Sequence, residues 1–132
     1  MNTGRETFHK PERLCSRKII TSLFDNGNVF YSKLFKIVWK ISPAPIPSPA
    51  QVAFSVTKKN FRLAVTRNLI KRRMREAYRR NKNILYDFLG SENIRIVLIV
   101  IYKEDSVMDF REIEISMKEM IDRLIVSVKE NC

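Results

Sequence analysis

Residues 94–102 read IRIVLIVIY. Apart from Arg95 the run is apolar and largely β-branched, a composition that suits a packed, pleated surface. It is too short to span a bilayer, and it does not alternate as a strand with one wet face must. It therefore reads as a central strand covered on both faces. The rest of the chain has to supply the strands beside it and the helices that cover it.

Upstream, residues 67–80 read RNLIKRRMREAYRR. At about 100° per residue, Ile70, Met74, Ala77, Tyr78, Ile84, Leu85 and Phe88 share one face. That spacing predicts one helix reaching about residue 88 and closed by Gly90. Asn68, Lys71, Arg72, Arg75 and Arg79 gather on a neighbouring face, and Glu76 points to solvent. Downstream, Asp109 is placed to cap a final helix, in which Phe110, Ile113, Met117, Met120, Ile121 and Leu124 recur as a core-facing stripe.

Toward the N-terminus, residues 34–41 alternate. Phe35, Ile37, Trp39 and Ile41 form one face and Leu34, Lys36, Val38 and Lys40 the other, a strand with a buried side and a cationic side. Residues 51–57 predict a second strand and residues 61–65 a shorter third. Between the first two, SPAPIPSPA at residues 42–50 reads as an extended surface loop. Ser16 caps a first helix through about residue 26, with Ile19, Ile20, Leu23 and Phe24 on its apolar side and Gly27 as its stop. Residues 1–13 are polar and expected to be mobile, and Pro11 discourages a helix across them. The order αβββαβα predicts an α/β fold of the α+β sandwich kind, one sheet with helices on it. The chain, 132 residues with 45% hydrophobic content, can bury one core and is too short for two domains.

Charge is localised. Residues 58–82 hold eleven bases and a single acid, Glu76, and so carry +10 of the chain's net +11. Like charges crowded at i,i+3 and i,i+4 weaken a helix, so their retention points to use against a polyanion. Three arginines and a lysine on one side suit bidentate phosphate contacts. The apolar face of the same helix is needed for a core, which argues against a membrane-surface role. No hydrophobic segment marks a secretory signal, and a cytoplasmic protein is expected. Cys15 and Cys132 show no metal-ligand spacing and read as reduced thiols.

These residues resemble the protein subunit of bacterial ribonuclease P, over residues 14–128. AVTRNLIKRRMREAY, residues 64–78, is similar to the Arg-Asn signature of that family at a helix start. Ser55-Val56-Thr57-Lys58-Lys59 is similar to the strand end and loop before it. A basic helix alone would not carry the likeness; the ordered combination does. The resemblance implies a left-handed βαβ crossover around the basic helix. It also implies an endoribonuclease whose catalytic subunit is a large RNA, which hydrolyses precursor tRNA to release the 5′ leader, with Mg2+ bound mainly by that RNA. No protein side chain is then expected to be catalytic or to ligate metal, and neither DNA nor membrane is expected as a partner.

Carried over by position, Arg62, Arg67, Asn68, Lys71, Arg72, Arg75 and Arg79 would meet the RNA subunit. Ser55, Thr57, Lys58 and Lys59 would lie near RNA. Ile20, Phe24, Lys36, Val38, Lys40 and Lys103 would line a cleft between the first helix and the sheet for the single-stranded leader, where apolar surface supports bases and lysines meet phosphates. Ile20 and Val38 stand where the family often has aromatics. Leu69 stands where an arginine is common, and Arg62 where a glycine is frequent.

Two other classes are weaker. A self-sufficient nuclease needs clustered carboxylates for paired metals or a histidine acid/base pair. The only histidine is His9, and Glu112, Glu119 and Asp122 read as the solvent face of the last helix. A ribosomal or general RNA-chaperone protein would fit the charge but not the signature.

Overall fold

The computed structural model describes residues 8–131. A 3-10 turn, Lys10–Glu12, is followed by α1 (Arg17–Asn26), β1 (Asn28–Tyr31), β2 (Phe35–Ile41) and β3 (Ala50–Val56). Then come α2 (Ala64–Asn81), α3 (Asn83–Glu92), β4 (Ile96–Tyr102) and α4 (Phe110–Glu130). The strands form one sheet in the order β1-β2-β4-β3. β1 and β2, and β2 and β4, are antiparallel, while β3 and β4 are parallel. A parallel pair needs a crossover, and α2 with α3 supplies it. The apolar run at residues 94–102 is thus the strand with a neighbour on each edge and a helical layer on each face.

The two faces differ in depth. On one, Phe35, Ile37, Trp39, Val52, Leu98 and Val100 pack against Ile70 and Met74 of α2, Leu85 of α3, and Met117, Met120 and Leu124 of α4. On the other, α1 covers a smaller core of Leu14, Leu23, Val38, Val97 and Ile99. Two helices start as their sequences dictate. The Ser16 hydroxyl accepts from the Ile19 N–H, and an Asp109 carboxylate oxygen accepts from the Glu112 N–H at 2.9 Å.

Several expectations are corrected. β1 has no counterpart in the sequence reading: NVFY is short, mostly exposed and at the sheet edge. Residues 61–65 are not a strand but the end of a loop and the first turn of α2, with Phe61 buried as its single anchor. The basic helix is interrupted at Lys82, and α3 restarts out of phase with α2, which leaves Ile84 exposed. Gly90 lies within α3. Its cap is Asn93, held in the left-handed region at φ 56°, with its N–H reaching the Gly90 and Leu89 carbonyls. Gly27 has ordinary extended backbone. A Cβ there would stand 2.5 Å from both the Leu23 carbonyl oxygen and Val38 Cγ1, so the glycine serves close approach of α1 to β2.

Of residues 1–13, expected to be mobile, those from residue 8 onward make packing contacts; residues 1–7 and Cys132 lie outside the described residues. The Phe8 ring packs edge-on against Phe54 and Tyr78, each at 5.9 Å. Arg13 bridges to Val52, and Leu14 enters the smaller core. Glu12 is buried and accepts from Lys82 Nζ and from the Tyr86 hydroxyl. Cys15 is exposed, with a free thiol.

Candidate nucleic-acid interface

α2 turns one flank to the core through Ile70, Met74, Ala77 and Tyr78. Asn68, Arg72, Arg75 and Arg79 follow one another at helical spacing on the opposite side, with Lys71 beside them. The helix has no side-chain N-cap and no acid in its first turn. Its unpaired N–H groups and the positive end of its dipole therefore add to the cationic field. The loop before it is pinned: Arg67 Nη1 donates to the Phe61 and Arg62 carbonyls at 2.8 and 2.9 Å. Asn60 Nδ2 reaches the Glu104 carbonyl, and the buried Phe61 ring leans on Tyr102. Lys58, Lys59 and Arg62 are therefore displayed on a fixed turn and exposed.

The eleven bases of residues 58–82 divide sharply. Arg67 is committed to the loop, and Arg73 Nη1 donates to the Met108 carbonyl at 2.6 Å. Arg79 holds Glu76 through two bonds of 3.0 and 2.6 Å, and that hydrogen bonding keeps the Glu76 carboxyl below its ordinary range. Arg80 pairs with Glu114 at 3.4 Å and lies over the Phe110 ring. Lys82, counted with the patch from its sequence, is buried against Glu12. Lys58, Lys59, Arg62, Lys71, Arg72 and Arg75 have no ion-pair or hydrogen-bond partner among the described residues.

On the α1 side of the sheet, strand register builds a second feature. Tyr31 pairs with Lys36, Lys36 with Ile101, and Ile101 with Ser55, which sets one row across all four strands. At ~4.8 Å between strands this row spans roughly 14 Å. The next row, Val29, Val38, Ile99 and Ala53, passes under α1. Leu23 points down into that core, while Ser22 accepts from Lys40 Nζ at 2.5 Å on one flank of the helix. Ile20 and Phe24, one turn apart, fall by helical spacing on the flank away from Ser22, Ile20 packed against the edge of that core and Phe24 exposed. Lys103 follows β4, and its Nζ stands 5.6 Å from the Tyr31 ring centroid.

Of the residues expected to line a cleft, Ile20, Phe24, Lys36 and Lys103 border this shelf. Phe24, 58% exposed, is not a core residue. Val38 and Lys40 do not border it. Val38 is 2% exposed beneath α1, and Lys40 is beyond the helix, bonded to Ser22. Alternation puts all three β2 residues on one face, but α1 lies across that face and separates them. Ser55 is part of the shelf, and Thr57 follows the end of β3. Sequence reading misses Tyr31, whose strand is short and exposed, and Glu12, whose partner lies 70 residues away.

Partner-free cations along a helix on one side of the sheet, with an open shelf on the other side that mixes lysine with aromatic surface, define an RNA-binding α/β protein. The family model Ribonuclease P matches residues 8–125, and the chain belongs to that family. It is 34% identical over 119 residues to the ribonuclease P protein component of Porphyromonas gingivalis, covering 90% of this chain and 87% of that protein. The component from Citrifermentans bemidjiense is 32% identical over 117 residues, 89% of this chain and 91% of the relative. Among solved structures, the RNase P protein of Thermotoga maritima superposes with a TM-score of 0.65 at 22% identity, over 85% of this chain and 96% of that one. That of Staphylococcus aureus gives 0.63 at 21%, over 86% and 94%. The chain is thus a component of an endoribonuclease ribonucleoprotein that processes the 5′ leaders of tRNA, with an RNA subunit as its partner.

Proposed function

We propose that the α2 face and the turn before it dock on the catalytic RNA subunit, while the shelf beside α1 holds the leader of precursor tRNA. The observation that supports this most is the division of the cations. Arg73, Arg80 and Lys82 are spent on the fold, whereas Lys58, Lys59, Arg62, Lys71, Arg72 and Arg75 sit together unpartnered. Asn68 adds an uncharged donor and acceptor to the same stripe. Arg67 acts by holding the loop, and Arg79 reaches RNA only by sharing with Glu76. Ile20 and Phe24 offer apolar surface to leader bases, and Lys36 and Lys103 offer charge to its phosphates.

Among the described residues no group of three or more His, Cys, Asp or Glu side chains is placed to hold a metal ion. Magnesium is assigned to phosphates of the RNA subunit on the family resemblance alone, and there it would activate water and stabilise the leaving oxygen. The protein's own contribution is electrostatic. Its cations relieve repulsion between two RNAs, and its shelf fixes the leader beside the scissile bond. We place this work in the cytoplasm. The experiment is processing of a precursor tRNA by protein alone, RNA alone and both, across a magnesium series. The expected result is cleavage at lower magnesium with both present; specific 5′ cleavage by protein alone would overturn the assignment.

A further inference from the structure

We propose that Tyr31 is a stacking platform at the edge of the shelf, where one unpaired leader base lies on the ring and Lys36 and Lys103 meet the neighbouring phosphates. The inference rests on reading the shelf as the leader cleft, and it extends that cleft onto β1.

Tyr31 is the only aromatic among the strand residues on the α1 side of the sheet. It is 54% exposed, and the fold gains little from it. The adjacent Phe30 points to the opposite face, where it packs against the main core. The backbone at Tyr31 is nevertheless held from behind. Its carbonyl accepts from Arg123 Nη1, and the Arg123 guanidinium lies 5.2 Å from the Phe30 ring centroid. One residue on, the Ser32 N–H closes a turn onto the Phe35 carbonyl at 2.9 Å. An open ring on a fixed backbone can be covered with little further ordering, which is what a preformed contact requires.

The surroundings select the ligand. Lys36 is the cross-strand partner of Tyr31, and Lys103 Nζ lies over the ring at 5.6 Å from its centroid, so a half-exposed aromatic surface has ammonium groups beside it, one of them on a ring face that an incoming base would share or displace. Single-stranded nucleic acid presents that pairing in reverse, a flat base beside a phosphate. Val38, one row in, is covered by α1 and cannot take a base. The aromatic surfaces open to the cleft are then Phe24 on the helix and Tyr31 on the sheet edge. Because every base has a flat face, the platform should favour no particular leader sequence.

The test uses holoenzyme reconstituted from the full chain and the RNA subunit, with full-leader precursor tRNA and mature tRNA as ligands. Tyr31→Ala and Tyr31→Leu should each weaken precursor binding about tenfold. Tyr31→Phe should bind as the wild type, mature tRNA should be unaffected, and the melting temperature should not move. Wild-type affinity in Tyr31→Leu would overturn stacking as the interaction. Wild-type affinity in Tyr31→Ala, with a loss in a parallel Phe24→Ala variant, would overturn the platform and leave the cleft reading standing. Wild-type affinity in both alanine variants would overturn the two together.

Discussion

Arg72 and Arg73 are adjacent in the chain and opposite in use. Arg72 stands on the outer stripe of α2 without a partner, while Arg73 is partly buried and donates to the Met108 carbonyl. Arg72→Ala or Arg75→Ala should weaken assembly with the RNA subunit. Each should also make the log-affinity against log-salt slope shallower by about 0.7–0.9 for every phosphate no longer neutralised, at unchanged melting temperature. Arg73→Ala should do the reverse, costing about 1–2 kcal/mol of stability and leaving the slope alone. Salt titrations and thermal melts of the three variants separate the two roles.

Tyr78 and Tyr86 carry a pH signature. Burial pushes both phenols above their ordinary range, and for Tyr86 the neighbouring Tyr78 and the Glu12 carboxylate push further. The unfolded chain releases these protons near pH 10, whereas the folded chain keeps them. Their stabilisation is complete below that pH and is lost as pH rises through and beyond it, by up to about 1.4 kcal/mol per pH unit for each tyrosine. Urea midpoints should therefore fall between pH 9 and 11. Tyr86→Phe should start lower, having lost its bond to Glu12, and fall less steeply.

At the scale of elements, the turn at Lys10–Glu12 is tied to the junction of α2 and α3 by the Glu12–Lys82 pair. Removing one partner of a buried ion pair leaves the other charge stranded, at a cost of about 3–5 kcal/mol. Glu12→Gln and Lys82→Met should each be severely destabilising, and the double variant clearly less so than their sum. Denaturation of the four proteins closes that cycle; additive losses would show that the two side chains act independently. Gly27→Ala should cost about 1–3 kcal/mol by overpacking, since its methyl group meets the Leu23 carbonyl and Val38.

The same elements show what the sequence reveals and what it hides. Periodicity and caps are local, so the final helix, the first helix, the cationic stripe and the central strand can be read directly. The pairing of residue 12 with residue 82 and of Tyr31 with Lys36 depends on folding, and no window of sequence contains the first. The expected cleft is legible only in part, four of its six residues bordering the shelf. Alternation assigns Lys36, Val38 and Lys40 to one face, but only the placement of α1 decides which of them remains open.

Taken as a whole molecule, the protein concentrates positive charge on one helix face and one turn, with Lys36 and Lys103 apart from it on the other side of the sheet. Six unpartnered bases there, each meeting a phosphate, give an expected salt slope for assembly of roughly −4 to −5. Fluorescence or filter-binding titrations at several salt concentrations measure it, and a slope near zero would remove this surface from the interface. The opposite side of the sheet contributes contacts that are apolar and aromatic as well as charged, so leader binding should be less sensitive to salt than assembly.

A polypeptide is made from its N-terminus, and in the order β1-β2-β4-β3 a strand in the middle of the sheet is made after its neighbours. Until residue 102 has emerged, β2 and β3 have no common neighbour, and both wait with open hydrogen-bonding edges. The segment before α1 waits as well, because Leu14 bonds to Val52 and Glu12 to Lys82. Contacts so distant in sequence form slowly. Every nascent chain that stops before residue 96 therefore lacks the strand that joins the sheet, and folding on the ribosome has to wait for it.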